Sequence, residues 1–230
     1  GYDVSGCERA SLGSEAEVVK PADRDSSQWA TARCNDGTPF TYEVQLSPSG
    51  SRDWLIYLEG GGFCDDNAVS CATRPPSHHS TLRTEEGSVI ADRDLVPFKE
   101  DGVFSSSPQE NPSFHDANKV FAEYCSSDGW SGGTTERRPT TGDPVNGWYF
   151  SGRANVAALF QSLQEWYGLD DGSSRVLFTG GSAGGGGVAA NADQAAAILS
   201  QSVADGRVKI LNDAGEPAEH FDNPDYRPGG

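Results

Sequence analysis

The sequence predicts an α/β fold, a mostly parallel sheet with helices on both faces. Three observations carry that expectation. Short continuous apolar runs recur at "WLIYL" (54–58), "KVFAEY" (119–124) and "SRVLFTG" (174–180), the pattern of strands covered on both sides. An amphipathic stretch, "GRANVAALFQSLQEWYG", separates the second run from the third. The alternation of strand, helix, strand, helix, strand is what a parallel sheet requires, because parallel neighbours need crossover connections.

Taken in order, residues 1–35 are polar and hold Cys7 and Cys34, and they read as an irregular arm stapled to the domain. "TPFTYEVQL" alternates apolar and polar residues from Phe40 to Leu46, as a half-buried strand does. "SPSGSRD" is a turn into the strand 54–58, which runs directly into "EGGG". Residues 72–117 are rich in Pro, Ser, Asp and His with little periodicity, and read as a long excursion with some short helix. In the stretch 152–168, Val156, Leu159, Phe160, Leu163 and Trp166 recur at helical spacing, and Gly168 falls where a C-terminal cap belongs. "SAGGGGVAANADQAAAIL" opens a further helix, and "RVKILND" is a fourth strand. No internal repeat or linker divides the 230 residues, so a single domain is expected, ending in an exposed acidic tail at 216–230.

The composition narrows the function classes. Seventeen Lys and Arg against 34 Asp and Glu give a formal charge of −17, spread along the chain. Nucleic acid and anionic membrane surfaces are repelled by such a balance, so neither is an expected partner. No run approaches the roughly 18 apolar residues of a membrane helix, and no membrane insertion is expected. None of the five cysteines lies in a CxxC pair or at zinc spacing with histidine, so disulfides are expected, with no metal and no cofactor. Disulfides imply an oxidising, extracellular or periplasmic compartment. The natural pairs are Cys64 with Cys71 and Cys7 with Cys34. Cys125 is left over, either free and buried or bonded to something outside this chain.

The loop "TGGSAGGGG" (179–187) is the feature that speaks to chemistry. A P-loop needs a lysine followed by Ser or Thr, and no basic residue occurs here before Arg207. A dinucleotide fingerprint normally sits on the first strand–helix unit of its domain. Gly180, Ser182 and Gly184 instead form G-x-S-x-G between an expected strand and an expected helix, the context of a nucleophile elbow. An oxyanion hole takes the N–H after the nucleophile, Ala183 here, and a second donor from an earlier strand-to-helix loop. Gly60, Gly61 and Gly62, directly after the strand 54–58, are placed to supply it.

The blocks "WLIYLEGGGFCDDNAVSC", "NPSFHDANKVFAEYCSSDGWSGG", "WYFSGRANVAALFQSL", "VLFTGGSAGGGGVAANAD" and "VKILNDAG" together resemble, in order, the pectin acetylesterase family, which includes animal carboxylesterases. "CNDGTPFTYEV" is similar to that family's entry strand, so the resemblance spans about residues 34 to 215. It implies an α/β-hydrolase fold, secretion, disulfides, and ester hydrolysis by a Ser-His-Asp triad without metal. By match of motif it makes Ser182 the nucleophile and Gly61, Gly62 and Ala183 the oxyanion donors. Cys64 with Cys71 would close the loop behind them. The substrate would be an acyl ester, either acetyl on a glycan or a small ester, or a longer acyl chain. A binding-only relative on the same scaffold is the alternative.

The acid and base are the departure from the pattern. The fold places Asp and then His on loops after later strands. Asp213 and His220 have the right order, but seven residues leave no room for a strand and loop between them. Asp213 in "NDAG" reads more naturally as a turn or cap beside the site. His78, His79 and His115 precede Ser182 and fit the base poorly. The expectation is therefore an N-terminal portion of a longer hydrolase, with C-terminal strands missing from this chain. The triad Asp and His would then lie on a C-terminal fragment of the same precursor.

Overall fold

The structure is a computed structural model and describes residues 15–24, 27–64, 71, 74, 84–85, 88–89, 95–140 and 143–215. Cys7, His78, His79, His220, the tail 216–230 and most of the 72–117 excursion before residue 95 lie outside them. The strands are β1 (Glu15–Val19), β2 (Tyr42–Gln45), β3 (Asp53–Leu58), β4 (Thr84–Glu85), β5 (Ser88–Val89), β6 (Leu95–Pro97), β7 (Asn118–Ala122), β8 (Arg138–Thr140), β9 (Asp143–Trp148), β10 (Arg175–Gly181) and β11 (Val208–Asp213). Seven of them form one sheet in the order β11-β10-β3-β7-β2-β1-β6, and β4 with β5 and β8 with β9 form separate hairpins. The four strands β11, β10, β3 and β7 run parallel, as the sequence predicts. The remaining pairs, β7 with β2, β2 with β1 and β1 with β6, are antiparallel.

This order fixes where a site can form. From β3 the chain goes on to β7 on one side, whereas β10 lies on the other side of β3 and continues outward to β11. The chain therefore leaves the C-terminal ends of the neighbouring strands β3 and β10 toward opposite sides of the sheet. Open α/β sheets place ligands at such a reversal of strand order.

Alternation along each strand builds two cores. Trp54, Ile56, Leu58, Val120, Ala122, Val176 and Phe178 face the helix Gly152–Tyr167 and meet its Val156, Leu159, Phe160 and Leu163. Phe160 packs edge-on against Phe178 with ring centroids 5.0 Å apart. The helix ends at Gly168, which takes the left-handed conformation (φ 74°) and donates its N–H to the Leu163 carbonyl. On the other face Leu55 and Phe121 join Phe98, Phe104 and Ala16, with Tyr57 and Leu177 at the margin. The segment covering this face includes a short 3-10 turn, Gly102–Phe104.

Three expectations are corrected. The N-terminal arm is not irregular throughout: "EAEVV" forms β1 and bridges β2 to β6 inside the sheet. Its Ala16 and Val19 are buried, which is the reason a short polar-looking segment becomes a strand. Cys34 is bonded to Cys125 and not to Cys7. The peptide next to Cys34 is already docked there, Asn35 donating its backbone N–H to the Cys125 carbonyl and its side-chain amide to the Ser126 carbonyl. Cys125 thus has its partner within the chain. Finally, the helix after Ser182 is three short helices, Ala183–Ala190, Ala192–Ile198 and Ser200–Ala204. The first break falls at the buried Asn191, whose amide donates to the carbonyls of Trp130 and Gly187.

Candidate active site

Ser182 stands between β10 and the helix Ala183–Ala190 with φ 54° and ψ −120°. A positive φ is costly for a residue with a side chain and persists only where surrounding structure enforces it. The enforcement is visible. Ser182 donates its N–H to the Asp213 carbonyl at 2.9 Å, and its own carbonyl accepts the Gly186 N–H at 3.0 Å. The turn leaves Ser182 exposed, while the strand before it and the helix after it are largely buried. Ala183 is the first residue of that helix, so its N–H has no partner within the helix and points along the positive end of the helix dipole.

The glycines that flank Ser182 are there because backbone approaches backbone. A Cβ on Gly184 would run into the Leu58 carbonyl oxygen, and one on Gly180 would come within 2.7 Å of the same atom. A Cβ on Gly187 would lie 2.5 Å from the Cβ of Trp130. Four successive glycines are poor helix formers. Here they let a helix lie directly against the ends of β3 and β10.

The second glycine loop meets the first. An added Cβ on Gly60 would stand 2.5 Å from the Gly181 carbonyl oxygen and 3.1 Å from the Ser182 Cβ. Gly61 and Gly62 follow with φ 140° and 69°, and both are exposed beside Ser182's turn. The loop then returns to the fold through Cys64, whose N–H donates to the Ser127 carbonyl at 2.9 Å and whose sulfur is bonded to Cys71.

A third loop, after β7, supports both. Trp130 is fully buried and donates its indole N–H to the Glu59 carbonyl at 2.9 Å. Its ring stacks on Tyr124 at 5.2 Å, and its backbone carbonyl accepts from Asn191. Asp128 shapes this loop from within. Its carboxylate accepts from Ser126 Oγ at 2.7 Å, from the Trp130 N–H at 3.0 Å and from the Gly152 N–H at 2.7 Å. Burial pushes the Asp128 carboxyl up to about 6, against those three donors, which favour its charged form. Tyr57 is likewise pushed up, first by burial and then by the nearby charges of Asp213 and Glu59.

The other candidate residues fall as follows. Asp213 ends β11 opposite Gly181, and its backbone carbonyl supports the Ser182 turn. The turn after it is closed by Asn212, which accepts the Gly215 N–H at 2.8 Å. His115 is the one histidine among the described residues, and it precedes the N-terminal end of β7. Ser182 follows the C-terminal end of the parallel strand β10, so the two lie at opposite edges of the sheet. No group of three or more metal-ligating side chains occurs among the described residues.

The family model described as Pectinacetylesterase matches residues 15–227. The chain belongs to the pectinacetylesterase family. Palmitoleoyl-protein carboxylesterase NOTUM of Mus musculus is 36% identical over 196 residues, covering 84% of this chain and 35% of that protein. The Homo sapiens protein of the same name is 37% identical over 167 residues, 72% of this chain and 30% of its own length. The structure of the Wnt deacylase Notum from Drosophila superposes with a TM-score of 0.66 at 28% identity, over 87% of this chain and 51% of that one. The pectinacetylesterase-family chain thus spans about a third of the length of the curated relatives it matches.

Within this family member, the sequence alone gives no sign of the parts played by Trp130 and Asp128. "CSSDGWSGG" reads there as a plain loop. The available signal is an aspartate and a tryptophan packed among glycines and serines, which is unusual for a loop that stays in solvent. Ser126, Ser127, Asp128 and Trp130 are all buried.

Proposed function

We propose that this chain carries the nucleophile and oxyanion hole of a secreted serine carboxylesterase. One observation carries the reading: the Gly60–Gly62 loop is packed against the strained Ser182 turn, so that two independent glycine loops converge on one hydroxyl. Ser182 Oγ attacks the ester carbonyl after giving its proton to a histidine. The N–H groups of Gly61, Gly62 and Ala183 hold the oxyanion, the alcohol leaves, and water then releases the acid from the acyl-enzyme. The two disulfides are in keeping with an extracellular setting.

The base of the triad comes, in this reading, from polypeptide outside the described residues. His115 stands at the wrong edge of the sheet. The base is either His220, with Asp213 as acid, or a histidine on a further segment of the same precursor. The acyl group is acetyl, on a glycan or a small ester, which the family's description supports. A second reading, hydrolysis of a longer-chain acyl ester, is favoured by the names of the mouse and human relatives.

Labelling the full-length protein with a fluorophosphonate and assaying p-nitrophenyl acetate against p-nitrophenyl palmitate tests all of this. Labelling and turnover that both vanish in Ser182→Ala are expected. A protein that neither labels nor turns over either ester is a binding-only relative, and the proposal fails.

A further inference from the structure

We infer that Arg74 is the positioning residue of the oxyanion loop, holding the Gly61–Gly62 peptide in the orientation that presents the Gly62 N–H to the reacting carbonyl; this rests on the esterase reading above. Arg74 donates from Nη2 to the Gly61 carbonyl oxygen at 2.6 Å. The Gly61 carbonyl and the Gly62 N–H belong to one planar trans peptide, so they point in opposite directions. Fixing the oxygen toward Arg74 therefore fixes the N–H away from it. Both flanking residues are glycines with positive φ, so sterics alone leave this peptide free to rotate as a plate. A charged donor on its oxygen removes that freedom and, by polarising the amide, makes its N–H a better donor.

The surroundings of Arg74 fit this role better than that of a surface cation. Its guanidinium lies over the Tyr124 ring, 5.9 Å from the centroid, and its Nη1 is 3.7 Å from where a Cβ on Gly62 would stand. Its Nε is buried and makes no hydrogen bond. Its backbone N–H donates to the Cys71 carbonyl at 3.2 Å, and Cys71 is bonded to Cys64 at the end of the oxyanion loop. The disulfide thus ties Arg74 to the same loop whose peptide it holds. Donor and acceptor are 13 residues apart, and the Cys64–Cys71 bond closes seven of the intervening steps.

The test uses the full-length protein, p-nitrophenyl acetate, and the variants Arg74→Ala, Arg74→Gln and Ser182→Ala. Removing one oxyanion donor outright typically costs about 100- to 1,000-fold in kcat. Loss of its positioning is expected to lower kcat roughly 10- to 100-fold in Arg74→Ala, with KM within about twofold. Arg74→Gln, which keeps a neutral donor, falls between it and the parent. Guanidinium chloride at low, non-denaturing concentration restores kcat in Arg74→Ala and leaves the parent unchanged. If Arg74→Ala does not fold, the Arg74→Gln measurement decides alone, and an unchanged kcat there overturns the inference. Turnover that survives Ser182→Ala overturns the esterase reading and this inference with it. Turnover abolished by Ser182→Ala but kept within twofold by Arg74→Ala, or lowered without guanidinium rescue, overturns this inference only.

Discussion

Trp130 donates its indole N–H to the carbonyl oxygen of Glu59, 2.9 Å away, and this bond joins the loop after β7 to the start of the Gly60–Gly62 loop. The same tryptophan abuts Gly187 on the helix behind Ser182. One buried side chain therefore spaces the two glycine loops. Trp130→Phe keeps most of the packing and removes the donor. Leaving the Glu59 carbonyl without its partner is expected to cost about 1–3 kcal/mol of stability. It should also lower kcat roughly tenfold with little change in KM, since each 1.4 kcal/mol is a factor of ten. Urea unfolding and p-nitrophenyl acetate kinetics on the full-length protein check both; an unchanged kcat would show that the loops hold their spacing without this bond.

The glycine packing makes a position-specific prediction. Gly184→Ala forces a methyl into the Leu58 carbonyl, and Gly187→Ala forces one into Trp130. Neither the Leu58 backbone nor the fully buried Trp130 can yield as the end of a flexible side chain does, so each is expected to cost more than about 3 kcal/mol or to prevent folding. Gly133→Ala meets nothing within 4 Å and should change stability by less than about 0.5 kcal/mol. Thermal melts of the three variants, side by side, give the comparison.

Asp128 sets a pH dependence. Burial raises its pKa from 3.8 to about 6, so the folded chain holds this proton more tightly than the unfolded chain does. Its contribution to stability is therefore fully present below about pH 4 and is lost as pH rises through about 6, by roughly 3 kcal/mol in all. The stability of the parent, measured against Asp128→Asn by urea midpoints, should fall across that window and level off above it. A difference that grows with pH would show that the Ser126, Trp130 and Gly152 donors outweigh the burial.

The two disulfides should separate stability from activity. Cys34 and Cys125 are 91 residues apart, and opening that loop in the double alanine variant is expected to cost roughly 3–5 kcal/mol. Cys64 and Cys71 are seven apart, which predicts about 2 kcal/mol. Arg74 follows the short loop and donates its backbone N–H to the Cys71 carbonyl, so the double alanine variant of that pair should lose more activity per unit of stability lost. Parallel measurement of melting temperature and kcat tells the two apart.

What was legible beforehand follows from which forces are local. β3, β7 and β10 were readable because each is buried on both faces and its sequence is nearly all apolar. The helix 152–167 was readable from its 3.6-residue period and from Gly168. The turn at Ser182 was readable because its glycines are imposed by packing at fixed spacing. β1 was not, since only Ala16 and Val19 mark it and its burial depends on β2 and β6, more than 20 and 75 residues away in sequence. The Cys34 to Cys125 bond was missed for the same reason: proximity in sequence favours Cys7, and only the fold brings the loop after β7 to Asn35. Arg74 and Trp130 act on carbonyl oxygens, and no pattern of side chains announces which carbonyl a donor will reach.

The helix behind Ser182 has a further consequence. A run of glycines has almost no tendency to coil by itself, at a disadvantage of about 1 kcal/mol per residue relative to alanine. It holds its shape only because Leu58, Trp130 and Asn212 press against it on several sides. Before those neighbours are in place, the segment around Ser182 has no reason to hold its turn. The shape of that turn is thereby made conditional on completed assembly of the sheet and the loop after β7.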